Sequence, residues 1–155
     1  METYRQIINI IVKDSGDREI IMKKLSEVTA DPALYEDFFF RTPYEDQDIT
    51  RLQMIDLLIE KGYAFEIDWK ENYTTAKKEI QKISTKLDVS LPIEDDEDLY
   101  DLEPEIFFLR VSSLLERKGY SIFDVDIDSN SYVIILADSD FAETITSLDS
   151  RIKKY

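Results

Sequence analysis

The residues best suited to chemistry are three aspartates at alternate positions, Asp124, Asp126 and Asp128. Carboxylates at this spacing open the calcium-binding loop of EF-hands, in which glycine stands sixth and a bidentate glutamate twelfth. Ser129 and Ile135 occupy those two positions here. Asp124 and Asp126 would still share one face of a strand and could hold magnesium. The other interpretation is a solvated strand face that runs into an aspartate-rich turn, so the metal site is a candidate only.

The composition removes most other catalytic chemistry. The chain contains no histidine and no cysteine. Serine–histidine triads, cysteine–histidine dyads and zinc sites built on these residues are therefore excluded. Catalysis would rest on carboxylates, lysine, tyrosine or a carboxylate-bound magnesium, with Asp68, Asp124 and Asp126 as the residues to test. The sequence leans away from an enzyme and implies no cofactor.

Acidic residues concentrate in one stretch. The net charge of the 155 residues is −15, and nine acids with no Lys or Arg lie between Leu87 and Leu109. The other 25 acids face 19 basic residues, a net charge of only −6. Binding of nucleic acid needs a basic face and is not expected. The densest run is predicted to contact a partner with a basic surface, or else to form a solvated loop; its members are Glu94, Asp95, Asp96, Glu97 and Asp98.

Aromatic residues form two further candidates. The first cluster contains Tyr35, Phe38, Phe39, Phe40 and Tyr44. Three consecutive phenylalanines on a helix cannot all face inward, so we expect Phe39 in an interface with another chain. The second is Trp69, which follows a predicted strand beside Asp68 and could line a ligand cleft. Packing in the core at the rim of the sheet is the favoured interpretation for this tryptophan.

One seven-residue segment occurs twice and locates two helices and two strands. Leu57 to Tyr63 resembles Leu114 to Tyr120, and both copies contain Lys-Gly-Tyr. An apolar-periodic run precedes each glycine and an alternating run follows it. Glycine readily takes the left-handed conformation that ends a helix. Each copy is therefore predicted to be a helix that ends at Gly62 or Gly119 and leads directly into a strand.

The remaining periodicity completes the fold prediction. Helices are expected over 4–12, 18–28 after a cap by Asp17, 32–40 after a cap by Asp31, 48–61, 72–86 and 104–118, and a last helix carries Phe141, Ile145 and Leu148. Strands are expected over 63–69, 120–127 and 132–137, the last two as a hairpin. For the second strand, apolar residues on both parities indicate either a bulge or burial of both faces. The third strand is apolar on both parities and predicts a central position.

The fold class predicted is α+β, with a small, mainly antiparallel sheet of about three strands covered by six or seven helices. We expect a single domain over 1–155, in which 88–103 is an acidic surface loop or linker between two helix–strand halves. The repeat predicts either duplication or a shared solution to capping.

These residues resemble a bacterial family, the domain-of-unknown-function family numbered 6630. The resemblance is carried by Leu-x-x-Lys-Gly-Tyr, by the strand end Asp68–Glu71, and by Gly119-Tyr120 followed by Asp126, Asp128 and Ser131-Tyr132. It covers residues 34–148. It implies a compact bacterial domain and brings no catalytic residue.

The function expected is that of a non-enzymatic module for protein–protein interaction, with a bacterial immunity-type protein that neutralises a basic toxin as its sharpest form. The first alternative is a carboxylate-based, metal-dependent enzyme or ligand-binding domain. The second is a DNA mimic, against which the clustering of the acids argues. A cytoplasmic location is expected because no signal peptide and no membrane-spanning run are visible. The sequence does not indicate an oligomeric state.

Overall fold

A computed structural model describes residues 1–38, 43, 47–93 and 99–155, with the backbone alone for 36–38. Within these residues there are seven α-helices and four strands. They are α1 (Glu2–Ile11), α2 (Ser15–Ala30), α3 (Ala33–Phe38), α4 (Ile49–Glu60), β1 (Ala64–Asp68), α5 (Tyr73–Lys86), α6 (Pro104–Glu116), β2 (Tyr120–Val125), β3 (Ser131–Asp138), α7 (Ala142–Leu148) and β4 (Ile152–Lys154). The α+β fold class is confirmed.

The four strands form one antiparallel sheet in the order β1-β3-β2-β4. The expected hairpin of β2 and β3 is present, and β3 is central. The expectation of about three strands missed β4, which pairs with the end of β2. That strand has only three residues, two of them lysines, and so lacks the alternating apolar pattern that identifies a strand.

Both faces of the sheet are buried. Alternate residues of β3 belong to two hydrophobic clusters, Val133 to one and Ile134 to the other. The first cluster joins the sheet to α1, α2, α4 and α7, and the second joins it to α5 and α6. Two helical layers therefore enclose the sheet, as its continuous apolar central strand requires.

The same argument resolves the two possibilities for β2. Its register with β3 runs without interruption from Tyr120 opposite Asp138 to Asp124 opposite Ile134, so there is no bulge. Ile122 packs with the α5–α6 cluster, whereas Phe123 and Val125 pack with the other. Burial of both faces is the correct interpretation of its mixed parity.

Aspartate and asparagine cap three of the helices. Asp48 and Asn72 accept hydrogen bonds from Arg51 N and Thr75 N at the starts of α4 and α5. The prediction that Asp17 caps α2 is wrong. Asp14 is the cap, and its carboxylate accepts from the backbone N–H of Asp17, which lies inside the first turn.

The last helix also begins later than its pattern indicates. Asp138 accepts a hydrogen bond from Asp140 N and starts a 3-10 turn over Ser139–Phe141 before α7. Phe141 lies in that turn and is exposed, so its predicted place on the apolar stripe is wrong. Ile145 is buried as expected.

The two repeated glycines end their helices as predicted. Gly62 has φ +76° and Gly119 has φ +81°. After α4, Tyr63 N donates to Leu58 O at 2.8 Å and Gly62 N to Ile59 O at 3.0 Å, which is the Schellman arrangement. The two copies nevertheless place their helices on opposite faces of the sheet, since α4 belongs to one hydrophobic cluster and α6 to the other.

Replacing Gly62 by alanine tests the left-handed cap. A Cβ at this position meets no atom within 4 Å, so the substitution adds backbone strain without a clash. We expect Gly62→Ala to lower the free energy of unfolding by about 1 kcal/mol, and Gly62→Asn to lower it less because asparagine tolerates this conformation. Urea denaturation with an unchanged m-value measures both. Equal losses in the two variants would contradict the explanation.

Candidate functional site

The aspartate-rich loop after β2 is fastened to the start of α4 by a buried arginine. The Arg51 side chain is 2% exposed, and its Nη1 donates to the carbonyl oxygen of Asp126 at 2.7 Å. Its Nη2 lies 3.7 Å from Oδ2 of Asp128. Gln47 donates to the carbonyl oxygen of Ile127 at 3.2 Å. The loop conformation therefore depends on side chains at and just before the start of α4, which is distant in sequence.

The carboxylates of this loop are already engaged. Asp126 Oδ1 accepts from Asp128 N at 2.9 Å, and Asp128 itself has a left-handed backbone with φ 58°. Oδ2 of Asp128 also contacts Nη1 of Arg151, and this contact raises the pKa of Arg151. No group of three His, Cys, Asp or Glu among the described residues is placed to hold a metal ion. A metal here would displace Arg51 or Arg151 from Asp128, and the site remains a prediction.

Asp124 faces the other side of the sheet, toward α6. It is partly buried, and its Oδ1 accepts from Val133 N at 3.2 Å. Burial raises the pKa of Asp124 to about 6, and the charges of Asp126 and Glu105 act in the same direction. The structure therefore does not bring Asp124 together with the two loop carboxylates as one ligand set.

Asp124 belongs to a wider acidic face, which we define as Glu103, Glu105, Asp124, Tyr132 and Tyr155. Burial raises the pKa of Tyr132, and the charges of Glu105, Glu103 and Asp124 raise it further. Burial also raises the pKa of Tyr155, followed by the charges of Asp124 and Glu105. Both tyrosine rings contact Phe108 of α6, at centroid distances of 6.1 and 5.6 Å. Negative charge, offset in part at Asp124 by Lys153 opposite it on β4, thus lies over an aromatic floor.

Exposed apolar side chains adjoin this face. Ile106 and Leu109 lie on the outer side of α6, and Leu109 follows Glu105 by one helical turn. Tyr100 is also exposed and its ring lies 5.9 Å from that of Tyr73. Glu103 and Glu105 form no ion pair within the part of the chain that the structure describes. The positive end of the helix dipole explains why acidic residues lie in the first turn of α6. It does not explain why exposed apolar residues lie beside them.

The residues predicted to contact a partner lie outside the described part of the chain. These are Phe39, Glu94, Asp95, Asp96, Glu97 and Asp98. Of their aromatic neighbours, Tyr35 is buried, and its hydroxyl donates to Asp56 at 3.0 Å. The acidic face includes two members of the same acidic stretch, Glu103 and Glu105.

Trp69 does not pack in the core, so that interpretation is wrong. β1 ends at Asp68, and the turn that follows leaves 46% of the tryptophan exposed. Lys70 Nζ lies 5.3 Å from the centre of its ring. Oδ1 of Asp68 accepts from Lys70 N at 2.9 Å and stabilises the turn. Neither residue is among those that line the cleft of about 470 Å³ described next.

A second set of polar residues was missed by the sequence analysis. Tyr4, Asp48, Arg51, Asp149 and Arg151 line a cleft of about 470 Å³. The Tyr4 hydroxyl donates to Asp48, and burial followed by this bond raises the pKa of the tyrosine. The cleft contains both signs of charge. The five residues come from three distant parts of the chain, α1, the start of α4 and the loop between α7 and β4, so no local spacing could have indicated the cleft.

The family follows from a comparison with known proteins. A family model described as a domain of unknown function (DUF6630) matches residues 3–153. The chain belongs to this family. The DUF6630 match extends the resemblance over 34–148 to include α1, α2 and β4. No curated protein and no solved structure matches the chain.

One further finding concerns membranes. No helix within the described residues of this DUF6630 chain combines the length and the apolar character needed to cross a bilayer.

The raised pKa of Asp124 predicts a pH dependence of stability. The folded state holds the proton more tightly than the unfolded chain, whose ordinary pKa is 3.8. Stability therefore falls as the pH rises from 3.8 through about 6. Asp124→Asn keeps an acceptor for Val133 N and removes the charge. We expect a gain of about 1 kcal/mol in the free energy of unfolding near neutral pH, after allowance for partial exposure.

Urea denaturation of wild type and Asp124→Asn across this pH range measures the difference. The two stabilities should converge at about pH 4, where the wild-type carboxyl is increasingly protonated in both states. A difference that stays constant with pH would show that packing, rather than ionisation, causes the change.

A calcium titration tests the aspartate loop. We expect about 1 mM CaCl₂ or MgCl₂ to leave the melting temperature unchanged, because Arg51 and Arg151 already engage Asp128. Thermal shift is the measurement, with Asp126→Asn as the variant. A rise in melting temperature that this variant abolishes would establish the metal site and contradict our expectation.

Proposed function

We propose that this DUF6630 domain is a non-enzymatic interaction module that binds a protein partner through the acidic face and the exposed side of α6. The observation that carries the proposal is the pairing of unneutralised Glu103 and Glu105 with exposed Ile106 and Leu109 on one helix. Charge alone keeps a protein soluble, and a single exposed apolar residue is ordinary. Their combination over an aromatic floor supports a binding surface.

The charge of the face specifies the partner's chemistry. Some other acids of the described chain are neutralised locally: Glu116 pairs with Lys154 at 2.6 Å and Glu60 with Lys24 at 3.3 Å. Glu103 and Glu105 instead raise the pKa of the neighbouring Tyr132. A basic partner would relieve this repulsion, and opposite charge would speed the encounter.

The apolar component supplies affinity that charge cannot. Leu109 and Ile106 would be buried at the centre of the contact, and the carboxylates would form its rim. The rest of the acidic stretch precedes α6 in the sequence and carries the same sign. The proposed partner therefore presents an apolar patch bordered by lysine or arginine.

The finer form of the proposal is an immunity-type protein of the bacterial cytoplasm that neutralises a basic toxin. It is supported by the small size, the acidic surplus and the absence of histidine and cysteine from the sequence. An interaction of this kind needs no chemistry from the acidic protein, only occlusion of the partner's basic surface.

Affinity capture with matched variants tests the proposal. Wild-type protein, the variant Glu103→Gln/Glu105→Gln/Leu109→Ser and the control Glu19→Gln/Glu27→Gln are immobilised and exposed to lysate of the source cell. The control removes the same number of charges from exposed positions of α2, on the other side of the sheet. Recovered proteins are quantified at about 50 and about 300 mM NaCl.

We expect a basic protein to be retained by wild type and control, and its affinity for the triple variant to fall about tenfold or more. A generic basic protein such as lysozyme, added as a competitor, should not displace it at the higher salt. Retention that is equal on all three baits, or recovery of no protein even at low salt, contradicts the proposal.

A second candidate function is favoured by one observation only. The pKa of Asp124, raised to about 6, would suit a carboxyl that exchanges protons near neutral pH. The calcium and magnesium titration described above tests the metal-dependent form of this carboxylate-based alternative.

A further inference from the structure

The cleft of about 470 Å³ beside Tyr4 has no part in the acidic face. It lies between α1, the start of α4 and the loop that follows α7, three elements of the cluster on the opposite face of the sheet from α6. Pockets of this size are typical of ligand sites. Among the described residues that line it, only Met1 and Leu148 are apolar. An occupant of this cleft must therefore be polar or charged.

Arg51, in the wall of this cleft, has more hydrogen-bond donors than its surroundings satisfy. Its side chain is 2% exposed, and neither Nε nor Nη2 forms a hydrogen bond within the residues that the structure describes. Nη2 lies 3.7 Å from Oδ2 of Asp128, but Arg151 contacts the same oxygen. Two guanidinium groups thus share one carboxylate. Because a buried charge is costly unless it is paired and hydrogen-bonded, Arg51 favours a further anionic partner.

The cleft also carries a carboxylate with spare capacity. Both oxygens of Asp48 accept hydrogen bonds, from Arg51 N and from the Tyr4 hydroxyl. Asp149 accepts from Arg151 N at 2.9 Å, but it forms no ion pair within the described part of the chain. Burial and then the bond to Asp48 raise the pKa of Tyr4; the charge of Asp149 raises it further, and that of Arg51 lowers it. Charges of both signs therefore act at one point of the cleft.

We infer that this cleft binds a small zwitterion of the amino-acid class, whose carboxylate pairs with Arg51 and Arg151 and whose ammonium group pairs with Asp149. Nε and Nη2 of Arg51 are closed to solvent, so its guanidinium turns toward the cleft when the ligand binds. The carboxylate then supplies charge-assisted hydrogen bonds to both nitrogens. A simple anion would meet the charge of Asp149, and a simple cation would meet the two arginines. Only a ligand with both charges satisfies the whole wall.

A thermal-shift screen of the full-length protein with the free L-amino acids, each at about 5 mM, tests the inference. We expect at least one of them to raise the melting temperature, and calorimetry to give it a dissociation constant of about 1 mM or tighter. The amide of that amino acid lacks the carboxylate charge, and its N-acetyl derivative lacks the ammonium charge. Each derivative should bind about tenfold or more weakly, because one end of the ligand then leaves its charged partner unpaired.

Matched variants locate the ligand. Arg151→Gln changes a side chain that is 45% exposed, and Asp149→Asn keeps an oxygen for Arg151 N, so both proteins should fold, as circular dichroism checks. Each should weaken binding of the amino acid about tenfold. Arg110→Gln and Asp101→Asn make the same changes at exposed positions that do not line the cleft, and they should alter binding less than about twofold. The N-acetyl derivative should bind Asp149→Asn and wild type equally, because it lacks the group that Asp149 recognises.

The inference is overturned if no amino acid changes the melting temperature, or if the amide and the N-acetyl derivative bind as tightly as the parent. Equal losses in the cleft variants and in the two controls would also overturn it, because the effect would then come from general electrostatics. The Glu103→Gln/Glu105→Gln/Leu109→Ser variant should bind the amino acid normally. Failure of the cleft to bind a zwitterion is therefore distinct from failure of the acidic face to bind a protein.

Discussion

The fold depends on the burial of β3 from both sides. Residues of both parities in this strand are apolar, so neither face can be left in water. Two helical layers cover the strand, with α1, α2, α4 and α7 on one face and α5 and α6 on the other. Two consequences follow from this constraint. The neighbouring strand β2 must also be buried on both faces, and polar groups must lie at the rims of the sheet. The acidic face and the aspartate loop both lie at such rims, at opposite sides of β2.

Acidic residues serve two separate purposes in this molecule. Asp17 shows the structural purpose: it accepts hydrogen bonds from Tyr63 at 3.1 Å and Lys86 at 3.0 Å, and Lys61 lies 3.6 Å away. The hydrogen bond from Lys86 is the largest cause of the lowered pKa of Asp17. Three parts of the chain therefore meet at this one carboxylate: α2, α5 and the turn between α4 and β1. Glu105 differs, because it forms no ion pair within the described residues and its charge raises the pKa of Tyr132 and of Asp124. Net charge alone does not distinguish the two.

The sequence predicted those features that local chemistry decides. Gly62 and Gly119 could be placed because few other residues tolerate a left-handed backbone, and Asp48 because a capping carboxylate acts within three residues. Apolar residues at both odd and even positions of β3 predicted that both of its faces are buried. Three misses share a different cause. β4 forms only because it pairs with β2. Arg51 can be buried because it finds an acceptor 75 positions away in the sequence. The exposure of Trp69 depends on the direction in which a turn places its side chain. The residues next to each of these positions in the sequence carry no signal of such long-range contacts.

The exposure of Trp69 also affects how this protein can be observed. An indole that is already 46% exposed in the folded chain gains less solvent on denaturation than a buried one would, so its emission maximum should shift only modestly. The buried phenols of Tyr35, Tyr63 and Tyr73 sit in asymmetric surroundings that denaturation abolishes. Near-ultraviolet circular dichroism in the tyrosine band is therefore the faithful spectroscopic reporter of the folded interior, and the indole reports on its own edge of the sheet.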